Sequence, residues 1–308
     1  MPAPTVAGPN CTELPVAKPS EEEPTTKEDG EGFAMSTEER GDVRHLRPPR
    51  PVVLHETIRR EGEQELERSV SALGWSSLAA GMTMGFSMLA RALLHHHVQG
   101  LPGAFLIESL GYPFGFLVVI LARQQLFTEN TMTAVLPLMT EPGWGKLGCL
   151  LRLWGVVFLG NVVGGALFAW GMLNMQLFDA STQASLHAMG TALMHNTPWQ
   201  MFTKGIAAGW LIATMVWLLP AAERGKIAVI IIVTYVIALG DFTHIIVGSV
   251  EVMYLVFEGT VSAGDYATRF ALPTLAGNIV GGSLIFALIS HAQVRSDDEN
   301  DEEQHAGH

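Results

Sequence analysis

From residue 69 to residue 294 the chain carries 17 charged side chains, 9 acidic and 8 basic, in 226 residues. That is about 8%, against roughly 25% in a soluble domain. An ordinary water-soluble fold is excluded for most of the chain. The remaining charge lies at the ends. Residues 1–68 hold 15 acids and 9 bases, and residues 295–308 hold 6 acids and 1 base. So −11 of the formal net charge of −12 belongs to two tails. The acidic balance argues against nucleic acid as a partner. The two cysteines, Cys11 and Cys149, lie in no metal-type spacing, which gives no support to a zinc or redox site.

Three regions follow: an acidic tail over 1–68, a membrane domain over 69–290, and a second acidic tail over 291–308. Residues 1–54 are rich in Pro and Glu and hold no apolar run, so disorder is expected. No apolar segment near Met1 marks a secretory signal. Residues 55–68 (HETIRREGEQELER) read as a charged, solvated helix leading into the membrane. The C-terminal tail is expected to be disordered from Asp297 on. The long N-terminal tail is also where a cytoplasmic partner would bind.

Six apolar segments are long enough to cross a hydrocarbon core, which takes about 20 residues each. They are Ser71–Leu94, Ala104–Leu138, Leu147–Leu173, Met201–Leu219, Ile227–Phe257 and Ala271–Ile289. The second and fifth are too long for simple helices. Both are interrupted near the middle, by Arg123-Gln124-Gln125-Leu126-Phe127-Thr128-Glu129-Asn130 and by Gly240-Asp241-Phe242-Thr243-His244. Backbone leaves a helix at membrane depth only where it is buried or lines a cavity, so two broken spans point to a pathway. An even number of spans puts both termini on one side. The basic residues Arg59, Arg60, Arg68, Lys146, Arg152, Arg224, Lys226 and Arg295 then flank one face, against Arg91, Lys204 and Arg269 on the other. That bias predicts cytoplasmic termini. The connection from Asn174 to Gln200 holds no Lys or Arg, which suits the outer side.

The third and sixth segments share a motif. Gly160-Asn161-Val162-Val163-Gly164-Gly165 answers Gly277-Asn278-Ile279-Val280-Gly281-Gly282, with the asparagines 117 residues apart. The two breaks show nearly the same offset, 116 from Thr128 to His244. An offset of three spans reverses topology, so the pattern predicts an inverted 3+3 repeat. The first and fourth spans give no clear register at that offset. Asn161, Gly164, Gly165, Asn278, Gly281 and Gly282 read first as helix-packing residues, because small side chains allow close approach and an asparagine can bond to a neighbouring backbone. Direct lining of a pathway is the second reading.

The Leu126-Phe127-Thr128 break, the Phe242-Thr243-His244 break and the paired Gly-Asn-x-x-Gly-Gly elements, in this order, resemble the formate/nitrite transporter family, and within it the YfdC-like branch. The resemblance covers about residues 70–290. It implies an all-helical, aquaporin-like fold in the inner membrane, a homopentamer, and one pore through each protomer. It also implies that Thr128 is the threonine of a mobile loop and His244 a central pore histidine between apolar constrictions. Several positions depart from the family pattern. Gln125 and Glu129 replace the acid and the glycine that flank Leu-Phe-Thr. Ile245, Ile246, Val247 and Gly248 follow His244 where the family commonly has Ser-x-Ala-Asn, so Gly248 replaces an asparagine, and Thr243 replaces a glutamate. Gly209 stands for an asparagine. Leu193, with His195 nearby, stands where many members carry a vestibule lysine, and Lys204 lies deeper.

A small anion in a low-dielectric constriction costs many kcal/mol unless donors or positive charge meet it, or unless it crosses as its neutral acid. A histidine suits either solution, and a threonine hydroxyl adds a donor. His244 and Thr128 are therefore the expected central polar site, with Leu126, Phe127 and Phe242 as constriction or gate. The competing reading of His244 is a buried histidine tied to a backbone carbonyl. Arg123 and Asp241 flank the breaks, either as an electrostatic filter, with Arg123 attracting anions, or in a buried or interfacial ion pair that holds the broken helices, using Asp241, Glu129, Glu108 or Glu251. His95-His96-His97 follow the first span and read as a solvated loop or an interface flank, not as a metal site, since three consecutive residues share no helix face. No catalytic or cofactor constellation is visible. The expected activity is passage of small monovalent anions or their conjugate acids. Passage of small neutral solutes is the alternative, and a membrane scaffold or sensor with a vestigial pore is a third reading.

Overall fold

The structure is a computed structural model that describes the backbone of residues 49–306 and the side chains of residues 49–297. The expected disorder of residues 1–48 lies outside the described residues. Among the described residues there is no strand.

Helix α1 (Pro51–Glu67) begins at Pro51 rather than at His55. A proline at the first helical turn has a preset φ and lacks only an N–H that would be unpaired there. The helix is not merely solvated. It buries His55, Ile58, Arg59, Gly62 and Leu66, a stripe at helical period, against the helices that follow the first break. A Cβ on Gly62 would lie 2.1 Å from the Thr133 carbonyl oxygen, so the approach requires glycine. Within that stripe the Arg59 guanidinium lies 2.6 Å from both Glu56 and Glu63.

Ser69 caps α2 (Val70–Val98), accepting the Ala72 N–H at 3.3 Å. Helices α3 (Ala104–Ser109), α4 (Pro113–Leu121), α5 (Phe127–Thr133), α6 (Leu136–Thr140), α7 (Trp144–Asn174), α8 (Ala180–Met194), α9 (Pro198–Leu218), α10 (Lys226–Leu239) and α11 (Ile245–Glu258) follow. The last element, α12, is one helical run through Ala263–Asp265, Leu272–Ile279 and Leu288–Ala306, with π-helical stretches at Tyr266–Ala271 and Val280–Ala287.

Among the described residues, five helices are long and apolar enough to cross a membrane: Val70–Val98, Ala104–Leu121, Trp144–Asn174, Pro198–Leu218 and Ala263–Asp297. The fifth apolar segment is not a single helix of this kind. It is α10 and α11, 14 residues each, parted at residues 240–244. The second segment is likewise parted at residues 122–126.

One expectation is corrected and one connection gains structure. The connection from Asn174 to Gln200 contains α8, capped by Asp179, which accepts the Thr182 N–H at 2.8 Å, and α8 buries Leu186, Met189 and Leu193. The tail beyond Asp297 was expected to be disordered, yet the helix runs on to Ala306. Extending an existing helix carries no new nucleation cost, which lets a charged stretch remain helical.

The most extensive helix pairs are α2 with α7 and α9 with α12. Glycines set both distances. A Cβ on Gly81 would lie 2.1 Å from the Asn161 carbonyl oxygen, and one on Gly281 would lie 2.1 Å from that of Ile206. Gly81→Ala or Gly281→Ala should therefore destabilise the protein by about 1–3 kcal/mol through overpacking. Gly155→Ala, with nothing within 4 Å of its Cβ, should be neutral or slightly stabilising. Thermal loss of the folded elution peak in detergent measures the difference.

Glu56 gives a pH prediction. Its hydrogen bond from Arg59 holds its carboxyl down at about 2, from 4.5. A depressed carboxylate pKa stabilises the folded form above the unfolded value, and that contribution is lost as pH falls through the folded value. Protection of α1 amides, corrected for intrinsic exchange, should weaken between pH 4.5 and about 2. Glu56→Gln should flatten the response in that window.

Candidate functional site

The two breaks are built alike. Helix α4 ends at Leu121, and Arg123 takes a left-handed conformation at φ 53°. Helix α10 ends at Leu239, and Asp241 does the same at φ 49°. A non-glycine residue in this region is strained by about 1–3 kcal/mol, and such strain clusters at functional sites. The chain then runs extended through Leu126 and through His244 before α5 and α11 begin.

Each break is held by one asparagine. Asn161 Nδ2 donates to the Ser77 and Gln125 carbonyls, both at 2.8 Å, and its Oδ1 accepts the Phe127 N–H at 2.9 Å. Asn278 Nδ2 donates to the Gly205 carbonyl at 2.9 Å and the Thr243 carbonyl at 3.0 Å, and its Oδ1 accepts the Ile245 N–H at 2.9 Å. Both side chains are fully buried. They satisfy backbone groups that a broken helix leaves open, which is the packing reading of these residues. Around them Gly164 sits against the Leu78 carbonyl, Gly165 against Val250, Gly281 against the Ile206 carbonyl and Gly282 against Thr131. The same contacts supply the register that the first and fourth spans lacked: Ser77 answers Gly205 and Gly81 answers Gly209, an offset of 128 in each case. They also shift the register of the breaks. The counterpart of His244 is Leu126, not Thr128.

His244 and Thr128 nevertheless meet. Thr128 Oγ1 lies 2.8 Å from His244 Nε2, with the two residues 0% and 2% exposed. His244 Nδ1 accepts the backbone N–H groups of Ile246 and Val247, each at 3.3 Å, and so caps α11. A nitrogen that accepts two N–H groups carries no proton. The ring proton is therefore on Nε2, which donates to Thr128 Oγ1. The histidine is tied to amide N–H groups, not to a carbonyl as the competing reading had it. Phe116, which sequence reasoning did not single out, packs edge-on against the imidazole with centroids 5.1 Å apart.

A cavity lies on each side of this pair. One, of about 320 Å³, lies beside α8 and reaches His244; Arg91, Tyr112, Leu193, Asp241, Phe242 and Glu251 are among its lining residues. The other, of about 520 Å³, lies beside α1 and is lined by Glu61, Glu65, Arg123, Gln124, Glu129 and Lys226, among others. Phe242 thus faces the α8-side cavity. Leu126 is fully buried, and the Phe127 ring packs between Trp154 and Phe158 at 5.8 and 5.5 Å.

The charged residues differ from expectation. The Arg123 side chain is 81% exposed and lies 3.5 Å from Glu61 of α1, so it is neither buried nor paired with Asp241, Glu129, Glu108 or Glu251. Asp241 pairs with Lys204 at 2.5 Å. His95 is not a plain solvated flank: its Nδ1 is 2.5 Å from Glu108 Oε2. Arg91 lies 3.4 Å from Glu108 and 3.5 Å from Glu251. Arg91 and His95 stand four apart on one face of α2, a spacing visible in sequence.

A sequence model described as formate/nitrite transporter matches residues 52–292. The chain is 56% identical over 253 residues to the inner membrane protein YfdC of Escherichia coli, covering 82% of each. It is 24% identical over 243 residues to the formate channel FocA of Haemophilus influenzae, covering 68% of this chain and 82% of that one. Among solved structures, a pentameric formate channel with formate bound superposes with a TM-score of 0.65 at 20% identity, covering 73% of this chain and 97% of that one.

The asparagine clamps generate a prediction. Asn278→Ala leaves the Ile245 N–H and the Gly205 and Thr243 carbonyls without their partner, at about 1–3 kcal/mol for each group left unsatisfied. The variant should lose more thermal stability than Asn174→Ala, whose side chain makes an exposed bond within its own helix. Equal melting temperatures would contradict the clamp.

Proposed function

We propose, from the premise that this chain belongs to the formate/nitrite transporter family, that it passes small monovalent acids of the formate and nitrite type across the inner membrane. The family consists of membrane transporters and channels, not enzymes. The observation that carries the reading is the hydrogen bond between Thr128 and His244. It joins the two broken segments at one buried point, with a cavity on either side. A solute moving between the cavities meets a hydroxyl and an imidazole where most of the surrounding surface is apolar. These donors and acceptors offset part of its desolvation. Leu126, Phe127 and Phe242 form the constriction around that point, and Arg123 sits at the α1-side mouth as a surface cation.

The membrane domain, residues 69–290, is read as six crossings in an inverted 3+3 repeat, with α10 and α11 together making the fifth. The matching hydrogen bonds of Asn161 and Asn278 support this reading. The α1 side is taken as cytoplasmic, with both tails, following the distribution of basic residues. A homopentamer with one pathway per protomer is the proposed assembly; the superposed formate channel is pentameric. No cofactor is part of the proposal. One observation favours the alternative of small neutral solutes: Leu193 lines the α8-side cavity where a lysine would attract anions.

His244→Leu and Thr128→Val should each lower formate and nitrite uptake into proteoliposomes by roughly tenfold or more, the loss expected when a buried polar partner is removed. The oligomer should elute unchanged. Full uptake by both variants would overturn the proposal.

A further inference from the structure

The α1-side cavity carries hydrogen-bonding atoms that neither the asparagine clamps nor the central pair uses. Gln125 and Asn130, 6% and 4% exposed, belong to its lining. They stand on either side of Thr128 in the chain. Asn130 Nδ2 lies 3.0 Å from Gln125 Oε1 and 3.3 Å from the Leu126 carbonyl oxygen. That carbonyl only accepts, so the Asn130 atom facing it is the amino group. The Gln125 atom that meets the same amino group is then its oxygen. Both amides are thereby oriented. A donor, Gln125 Nε2, and an acceptor, Asn130 Oδ1, are left over, and neither has a partner among the described residues. Neither atom is sealed in, and the space that their residues line is this cavity of about 520 Å³.

Two neighbours add to the pattern. Gln124 lines the same cavity, and its Oε1 is buried without a partner. Glu129 lines it too, with its carboxyl group in no ion pair or side-chain hydrogen bond among the described residues. An oxygen of that group accepts in either protonation state. Buried polar side chains are nearly always hydrogen-bonded, so a cluster of exceptions around one cavity calls for an explanation.

The pattern selects the chemistry of a ligand. It needs a carbonyl oxygen to accept from Gln125 Nε2 and a hydrogen to give to Asn130 Oδ1. A carboxylate brings acceptors alone and leaves Asn130 Oδ1, Gln124 Oε1 and Glu129 unmet. A small carboxamide brings acceptor and donors on adjoining atoms, and it has no charge to desolvate. Beyond the cavity, Thr128 Oγ1 accepts from His244 and keeps its own hydroxyl hydrogen free. The carbonyl oxygen of the same ligand can accept there next.

We propose that Gln125 and Asn130 form a binding station for small carboxamides of the urea and formamide class, and that the chain passes these neutral molecules in addition to the acids above. Gln125 Nε2 holds the carbonyl oxygen, and Asn130 Oδ1 and Glu129 take the N–H groups. The inference rests on the pathway read above but not on its solute.

The test uses the full chain in lipid vesicles, with urea as the probe because it does not titrate. An inward urea gradient shrinks the vesicles, and light scattering follows their reswelling as urea enters. Protein-free vesicles give the background, and uptake of labelled formate is measured in the same preparation. Wild type should admit urea several-fold faster than background. Gln125→Glu replaces Nε2 by an oxygen and leaves Oε1 in place for Asn130, so the pair survives and the free donor is lost. The excess over background should then fall roughly tenfold, as expected when a buried hydrogen bond is removed, while the oligomer elutes unchanged. Wild-type urea entry at background, with formate uptake present, overturns the inference and leaves the transport reading standing. Equal urea entry by wild type and Gln125→Glu also overturns it. Urea entry lost in the variant, without formate uptake by wild type, upholds the inference and removes the acid reading. Absence of both fluxes removes both. Should Gln125→Glu fail to assemble, Gln125→Leu, which also lacks the donor, takes its place, and background urea entry by wild type overturns the inference in any case.

Discussion

A backbone amide or carbonyl at membrane depth has no water to turn to, and each one left open costs several kcal/mol. The rest of this structure follows from how the chain meets that constraint at two places where its helices stop. Asn161 and Asn278 each present two amide hydrogens and one oxygen to three backbone groups. Each ties a break to a neighbouring helix as well as to itself: α2 through Ser77, α9 through Gly205. The clamp works only if the helices come within amide reach, and that is why Gly81 and Gly209 lie against the asparagine backbones. Close glycine packing and the polar breaks are thus one device.

With the breaks fixed, a small set of polar groups is left facing the cavities. Their placement divides labour. Groups from the breaks meet at the centre, as Thr128 and His244 do. Groups from the helices around them, Arg91 of α2 and Glu251 of α11 among them, stand in the cavities. The α1 helix closes the second cavity with Glu61 and Glu65, so a segment outside the membrane spans shapes the charge at one mouth of the proposed pathway.

Much of this was legible in the sequence, because it was written as pattern. The low charge density marked the membrane domain, the interruptions marked the breaks, and the repeated Gly-Asn-x-x-Gly-Gly marked the clamps. Thr128 and His244 stood out as polar groups in apolar surroundings. What was not legible came from distance in sequence. Arg91, His95, Glu108 and Glu251 lie on three helices, and no local spacing joins them. Arg123 looked as if it needed a membrane partner because α1 was read as a solvated lead-in. Docking of α1 through Ile58, Gly62 and Leu66 brings Glu61 to Arg123 instead. Helix α8 was hidden because a connection of its length, with no Lys or Arg, is too short to span and carries no break to advertise it.

One difference between the two halves has a mechanical side. His244 caps α11 with its own ring, whereas Leu126, at the matching position, offers α5 no side-chain cap. Removing the Asn278 clamp would still leave α11 with two hydrogen bonds at its first turn. Removing the Asn161 clamp would leave α5, only 7 residues long, with nothing but its neighbours to hold its end. The first turn of α5 therefore depends on a single asparagine where that of α11 has two side chains to hold it, so the two halves share one clamp but not one margin.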